Sequence, residues 1–219
     1  MTALLTQFVN SLGALLLILA FAMIAQRRIR SLVNLYTLQG ATLVLATVVV
    51  GIVTNQPHLY LSAAITFVLK VLLIPWLLHR VIVKLDIRWE LESLINIPTT
   101  MLIGILVVIF AFNLALPISR LSNSLASGTL GIALACVLLS FLMMITRAKA
   151  VSQVIGFLSM ENGLFFAATS ATYGMPMVVE LGIALDVLIG VLILGVFMFQ
   201  IREQFDSLDI RHLEKLKED

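Results

Sequence analysis

Three ionisable residues sit deep inside apolar stretches of this chain. Lys70 lies about twelve residues into a run beginning near residue 58, Glu161 about ten into one from near 151, and Asp186 about eight into one from near 178. If those runs are membrane helices rising about 1.5 Å per residue, the depths are roughly 12–18 Å, near the centre of a hydrocarbon layer about 30 Å thick. A charge there costs about 2.5–3.5 kcal/mol on insertion scales, so the three must face protein, water or one another. The chemistry that suits them is proton movement. Desolvation brings buried acids and amines toward the range where protons exchange near neutrality, and a neighbouring opposite charge reverses the effect. Lys70, Glu161 and Asp186 are therefore candidate members of a proton relay; a structural ion pair that locks three helices together would use the same residues. Glu180, nearer the outer surface, is a candidate proton-uptake group or a solvated carboxylate.

The residues around these charges suit close packing. Gly182, Asp186 and Gly190 recur every four residues, which puts the carboxylate on a stripe of small side chains that lets another helix approach. Ser159 and Gly163 surround Glu161 in the same manner, and Asn162 adds a second polar group that needs a partner. Thr66 lies one turn before Lys70 on the same face. Pro75 removes a helical donor and frees the carbonyl of Val71, an opening where water can enter.

The elements that must position these groups follow from composition. Of the 219 residues, 61% are hydrophobic and 12% charged, far from the balance of about 45–50% and 25% that coats a soluble domain. A cytosolic enzyme and a disordered linker are both excluded, and a net charge of +2 without a long basic run gives no reason to expect nucleic acid. A membrane helix needs about 20 mostly apolar residues. Seven such runs occur, at approximately 3–25, 31–53, 58–79, 95–115, 126–146, 151–172 and 178–200. The predicted fold is all-α, a polytopic membrane protein. Residues 1–200 form a seven-helix transmembrane domain and 201–219 an amphipathic cytoplasmic tail. The stretch from His79 to Ser93 mixes apolar and charged residues and reads as surface-lying. The first run is not a cleaved signal peptide, because it is too long and its positive cluster follows it.

Basic residues orient the chain. Arg27, Arg28 and Arg30 place the first loop in the cytoplasm and the N-terminus outside. Of the 14 Lys and Arg residues, twelve then fall inside, Arg120 alone outside, and Lys70 within a span; Arg147 and Lys149 are among the inside loop charges. The C-terminus is cytoplasmic. Trp76 and Trp89 suit the headgroup region at the inner end of the third span.

No phosphate-binding glycine loop, dinucleotide fingerprint or helically spaced His pair is present, so no cofactor, metal site or catalytic residue is expected. Cys136 reads as a small buried hydrophobe, and the nine methionines as gap fillers. His58 and His79 read as interfacial; His212 carries no signal.

The stretches AAITFVLKVLLIPWLL around Lys70, IGFLSMENG around Glu161 and VVELGIALDVLIGVLIL around Asp186, with the tail SLDIRHLEKLK, resemble component E of hydrogenase-4. That family belongs to the complex-I-like, group 4 nickel–iron hydrogenases, which include formate hydrogenlyase-type assemblies. The likeness runs over nearly the whole chain. A more distant one, from Ile155 to Asp209, is to subunit K of respiratory complex I. There Asp186 matches a buried glutamate, while Leu158 occupies the place of a second one and Glu161 lies three residues later. Lys70 lies outside that second likeness. The resemblance implies a non-catalytic subunit in a prokaryotic cytoplasmic membrane. It would lie between the membrane anchor of a hydrophilic redox arm and antiporter-like subunits, with its buried charges continuing a proton-translocation path. The nickel–iron site and iron–sulfur clusters would belong to partner subunits.

Two other readings start from the same residues. An independent secondary transporter predicts internal repeats and broken helices, and no repeat relates the halves. A retinal protein would carry its Schiff-base lysine in the last helix, whereas Lys70 is in the third.

Overall fold

A computed structural model describes residues 2–84, 94–121 and 126–171, together with 182, 188 and 190. Glu180, Asp186 and the expected tail from 201 lie outside the described residues. The described elements are helices: α1 (Thr2–Ala25), α2 (Ile29–Thr54), α3 (His58–Thr66), α4 (Ile74–Lys84), α5 (Ile97–Leu121), α6 (Ala126–Thr146) and α7 (Ala150–Ala171). A π-helical segment, Phe67–Leu73, joins α3 to α4, so the third span is one continuous helix. Helices are what apolar chain must form where no water can satisfy the backbone.

Five of the described helices are long and apolar enough to cross a bilayer: Gln7–Ala25, Ile29–Thr54, His58–Val83, Ile97–Pro117 and Thr129–Thr146. This is a multi-pass membrane protein. The expected sixth run coincides with α7, whose 22 residues suffice in length but include Ser152, Gln153, Ser159, Glu161 and Asn162. The seventh run lies almost wholly outside the described residues.

The helices pack in a definite order. α1 touches α2, α5 and α6; α6 lies between α5 and α7; and α2 joins α7 to the third span. Leu16, Met23, Tyr36, Leu43, Leu139 and Phe166 form part of the common core. α5 is peripheral and exposes Leu102, Ile105, Leu106, Ile109 and Phe110.

Asn55 turns the chain from α2 into the third span. It adopts a left-handed conformation (φ 53°), and its N–H and that of Gln56 both donate to the carbonyl of Gly51. Asn tolerates that conformation better than most residues, and Pro57 then starts the next helix. The two helices stay close because α2 has glycines on the shared face. A Cβ at Gly40 would lie 3.2 Å from Lys70 Cβ, and one at Gly51 would lie 3.2 Å from Leu59 Cβ. The two glycines are eleven residues apart, about three turns, so they share one face.

One expected boundary moves. The sequence reads as surface-lying from His79 onward, yet the third span's helix continues to Lys84 with Val81 and Ile82 buried. Their apolar side chains pack inward with Leu77 and Leu78, which outweighs the pull of the neighbouring charges toward water. Residues 85–93 lie outside the described residues.

Candidate functional site

Lys70 projects from the π segment and is fully buried, at 0% exposure. A π turn inserts an extra residue into the helical register, and such turns recur at functional sites. Here the N–H of Ile74 donates to Leu69, five residues back. In that register the donor missing at Pro75 falls opposite Lys70, where an α-helical register points to Val71. Gly40 supplies the clearance that lets the Lys70 stem lie against α2.

From there the lysine reaches α7. Its Nζ forms an ion pair with Glu161 Oε2 and donates to Asn162 Oδ1 at 2.8 Å. Asn162 Nδ2 in turn donates to Gln39 Oε1 on α2, at 3.2 Å. Glu161 is 2% exposed, and Asn162 and Gln39 are both fully enclosed. The ring of Phe165, one turn further along α7, has its centre 5.5 Å from the ammonium. An ammonium over a ring face gains from the ring's quadrupole when water is excluded. Three separate helices thus meet at one polar knot.

The sequence pairs Lys70 with two acids, and the structure brings it to one of them. Asp186 and Glu180 are outside the described residues. Gly182, one turn before Asp186, is described, and a Cβ built there would lie 2.5 Å from Phe165 Cδ2. Gly182 therefore lies against α7 at the residue whose ring also faces Lys70. The small-residue reading needs one refinement at Glu161. Ser159 and Gly163 face α6: Ser140 Oγ donates to Ser159 Oγ at 2.9 Å, and a Cβ at Gly163 would lie 3.1 Å from Cys136 Cβ. Glu161 lies about 200° round the helix from Ser159, so α7 packs on α6 with one face and turns its charge toward α2 and Lys70 with the other.

Gln39 is a site residue that sequence reasoning passes over. An uncharged amide in an apolar run gives a weak signal, although Gly40 beside it marks a close approach. Gln39 Nε2, Ser62 Oγ and Thr66 Oγ1 are buried without a partner among the described residues. Ser62 and Thr66 lie two turns and one turn before Lys70 on one face, and buried hydroxyls of this kind can join a hydrogen-bonded chain.

A second buried cation stands apart from this knot. Arg147, which the sequence presents as a loop charge, is 1% exposed, and its Nη2 donates to the carbonyls of Ile24 and Gln26 at 2.6 and 2.7 Å. The guanidinium closes the C-terminal end of α1, where unpaired carbonyls concentrate negative charge. Burial pulls its pKa below the usual arginine value. No composition signal separates a capping arginine from a solvated one at a membrane boundary.

A helical multi-pass membrane protein with a lysine–glutamate pair sealed between its helices is the class that this fold and site define. The chain is 34% identical to the uncharacterized protein Rv0085 of Mycobacterium tuberculosis over 204 residues, 92% of this chain and 93% of the relative. It belongs to the family of that mycobacterial protein. It is also 23% identical to hydrogenase-4 component E of Escherichia coli K12 and of Shigella flexneri, over 97% of this chain and 98% of each relative. No family model matches the chain, and no solved structure is significantly similar to it.

Proposed function

We propose that this chain is a non-catalytic membrane subunit of a complex-I-like hydrogenase complex, in which Lys70 and Glu161 form one station of a proton path. The observation that carries the proposal is the enclosed Lys70–Glu161 pair in a chain similar along nearly its full length to hydrogenase-4 component E. In this reading the chain crosses a prokaryotic inner membrane seven times, with the N-terminus outside and the C-terminus in the cytoplasm. Its partners are antiporter-like membrane subunits and the membrane anchor of a hydrophilic arm that holds the redox centres.

The pair works as a switch with two arrangements. With Glu161 ionised, the ammonium is held on α7 and shares the carbonyl oxygen of Asn162. A proton delivered to Glu161 cancels the attraction and leaves an ammonium in a low-dielectric interior, where an unpaired charge is costly. Lys70 then turns to the next carboxylate, for which Asp186 is the nearest candidate in sequence to the contact at Gly182. The extra residue of the π turn gives the lysine stem slack for that movement. Ser62 and Thr66 extend the path along the third span, and Glu180 serves as the uptake group nearer the surface.

Purification of the chain from its native membrane in mild detergent, with mass spectrometry of what accompanies it, is the first test. Nickel–iron hydrogenase and antiporter-like subunits are the expected companions. In that complex, Asp186→Asn should leave assembly intact and slow proton movement, and Lys70→Met should slow it too, with the lower stability expected when Glu161 loses its partner. Normal pumping in both variants would overturn the relay.

A second reading, an independent ion carrier, draws on the irregular helix at Lys70, since carriers place their sites at interrupted helices. Recovery of the chain alone as a stable monomer or homo-oligomer would favour it.

A further inference from the structure

A groove of about 440 Å³ runs between α1 and α5, walled by Leu17, Phe21 and Ala22 on one side and Met101, Ile105 and Ile109 on the other. Every residue lining it is apolar. The volume is in the range of about 300–1,000 Å³ typical of small-molecule pockets. Its register is antiparallel: Leu94, just before α5, donates its N–H to Thr146, whose neighbour Arg147 holds Gln26 just after α1, and a Cβ at Gly104 would lie 3.1 Å from Phe21 Cε2 midway along. From Leu17 to Ala25 the groove extends eight residues, about 12 Å, close to the depth of one bilayer leaflet.

The open end of the groove is cationic. Exposed Arg27 and Arg28 follow Ala25 by two and three residues. The first turn of α5 begins at Ile97 beside the same end, and helix N-termini favour anions. The opposing negative end of α1 is cancelled by Arg147, which donates to Ile24 and Gln26. No hydroxyl or amide lines the groove to hydrogen-bond a neighbouring helix, as helix interfaces in membranes often require.

We propose that this groove is a binding site for an anionic phospholipid, with one acyl chain between α1 and α5 and its phosphate at Arg27 and Arg28. The site depends on the chain spanning a membrane and not on the role of Lys70. Leaflet length, wholly apolar walls and a positive mouth together match this occupant better than a partner helix.

The test uses the full chain in detergent, equilibrated separately with dioleoylphosphatidylglycerol and dioleoylphosphatidylcholine, and counts retained lipid by native mass spectrometry. The wild type should retain the glycerol lipid in preference, and Arg27→Gln with Arg28→Gln should reduce that retention by about thirtyfold, the combined effect of two surface arginines on an anionic headgroup. Ala22→Phe, which narrows the groove, should lower retention of both lipids. Should that variant fail to fold, Ile109→Trp adds bulk from an exposed position on the opposite wall and gives the same reading. Equal retention of the two lipids by the wild type would overturn the proposal. So would unchanged retention in a folded groove-filled variant.

Discussion

At Lys70 and Glu161 the physical question is whether the pair is a lock or a moving part. Removing one member of a buried pair costs about 3–5 kcal/mol, because the other is stranded, whereas replacing both by apolar groups is often neutral. Glu161→Met should therefore lower thermal stability clearly, and Lys70→Met with Glu161→Met should recover most of the loss in a melting experiment. Proton movement by the complex should stay low in that double variant. Recovery of stability together with normal proton movement would make the pair a fastening only. That Lys70 and Glu161 are buried is legible in the sequence, because charges at mid-membrane are too costly to be incidental; that they pair is not, since Asp186 lies at a similar depth. Asn162 is legible as a polar group needing a partner. Gln39 is not, since a neutral amide adds little to hydropathy, and Arg147 is not, since a buried cap and a solvated loop arginine have the same sequence.

Among the elements, the third span depends most on clearance. Gly40 faces Lys70 with 3.2 Å for an added methyl, tight enough that Gly40→Ala requires a small shift. Gly40→Leu should drive the span away from α2 and carry Lys70 out of reach of Glu161, as severe overpacking does in any dense interior. A disulfide cross-link between cysteines placed at Gly51 and Leu59 should report this, forming readily in the parent and poorly with Leu at 40. Arg147→Met should lower stability by about 1–3 kcal/mol, because it removes the nitrogen that donates to both Ile24 and Gln26 and leaves those carbonyls unpaired. The breaks between helices are readable from Asn55, Pro57 and the arginines after α1. The π turn is not. Pro75 marks an irregularity, but the extra residue lies on its N-terminal side and shifts the register from Val71 to Lys70.

For the whole molecule, the positive loop after α1 and the turn at Asn55 set opposite faces. With Cys136 buried at 1% exposure, the natural thiol gives little background for labelling. A cysteine at Arg27 should react with an impermeant maleimide only from the cytoplasmic face, and one at Gln56 only from the outer face. Labelling of both from one side would reverse or break the expected topology. The all-helical architecture follows from composition, since long apolar runs leave the backbone no other way to pair in lipid. Which helices neighbour which does not follow, because nearly uniform apolar faces carry no address.

Among the described residues, the third span rests its backbone on α2 alone and reaches α7 through the Lys70 side chain. An element attached along one edge and pinned at one point is expected to loosen before the rest, as a separate cooperative unit. Its opposite side, with Phe67, Val68, Leu72 and Trp76 exposed, is the side from which a neighbour could steady it. Hydrogen–deuterium exchange should find residues 58–84 releasing their amide protons earlier than α6 and α7 in the isolated chain, with the gap closing once the complex is assembled. The door of this molecule would then be the span that carries its lysine, and the assembly itself would be the hand that keeps it shut.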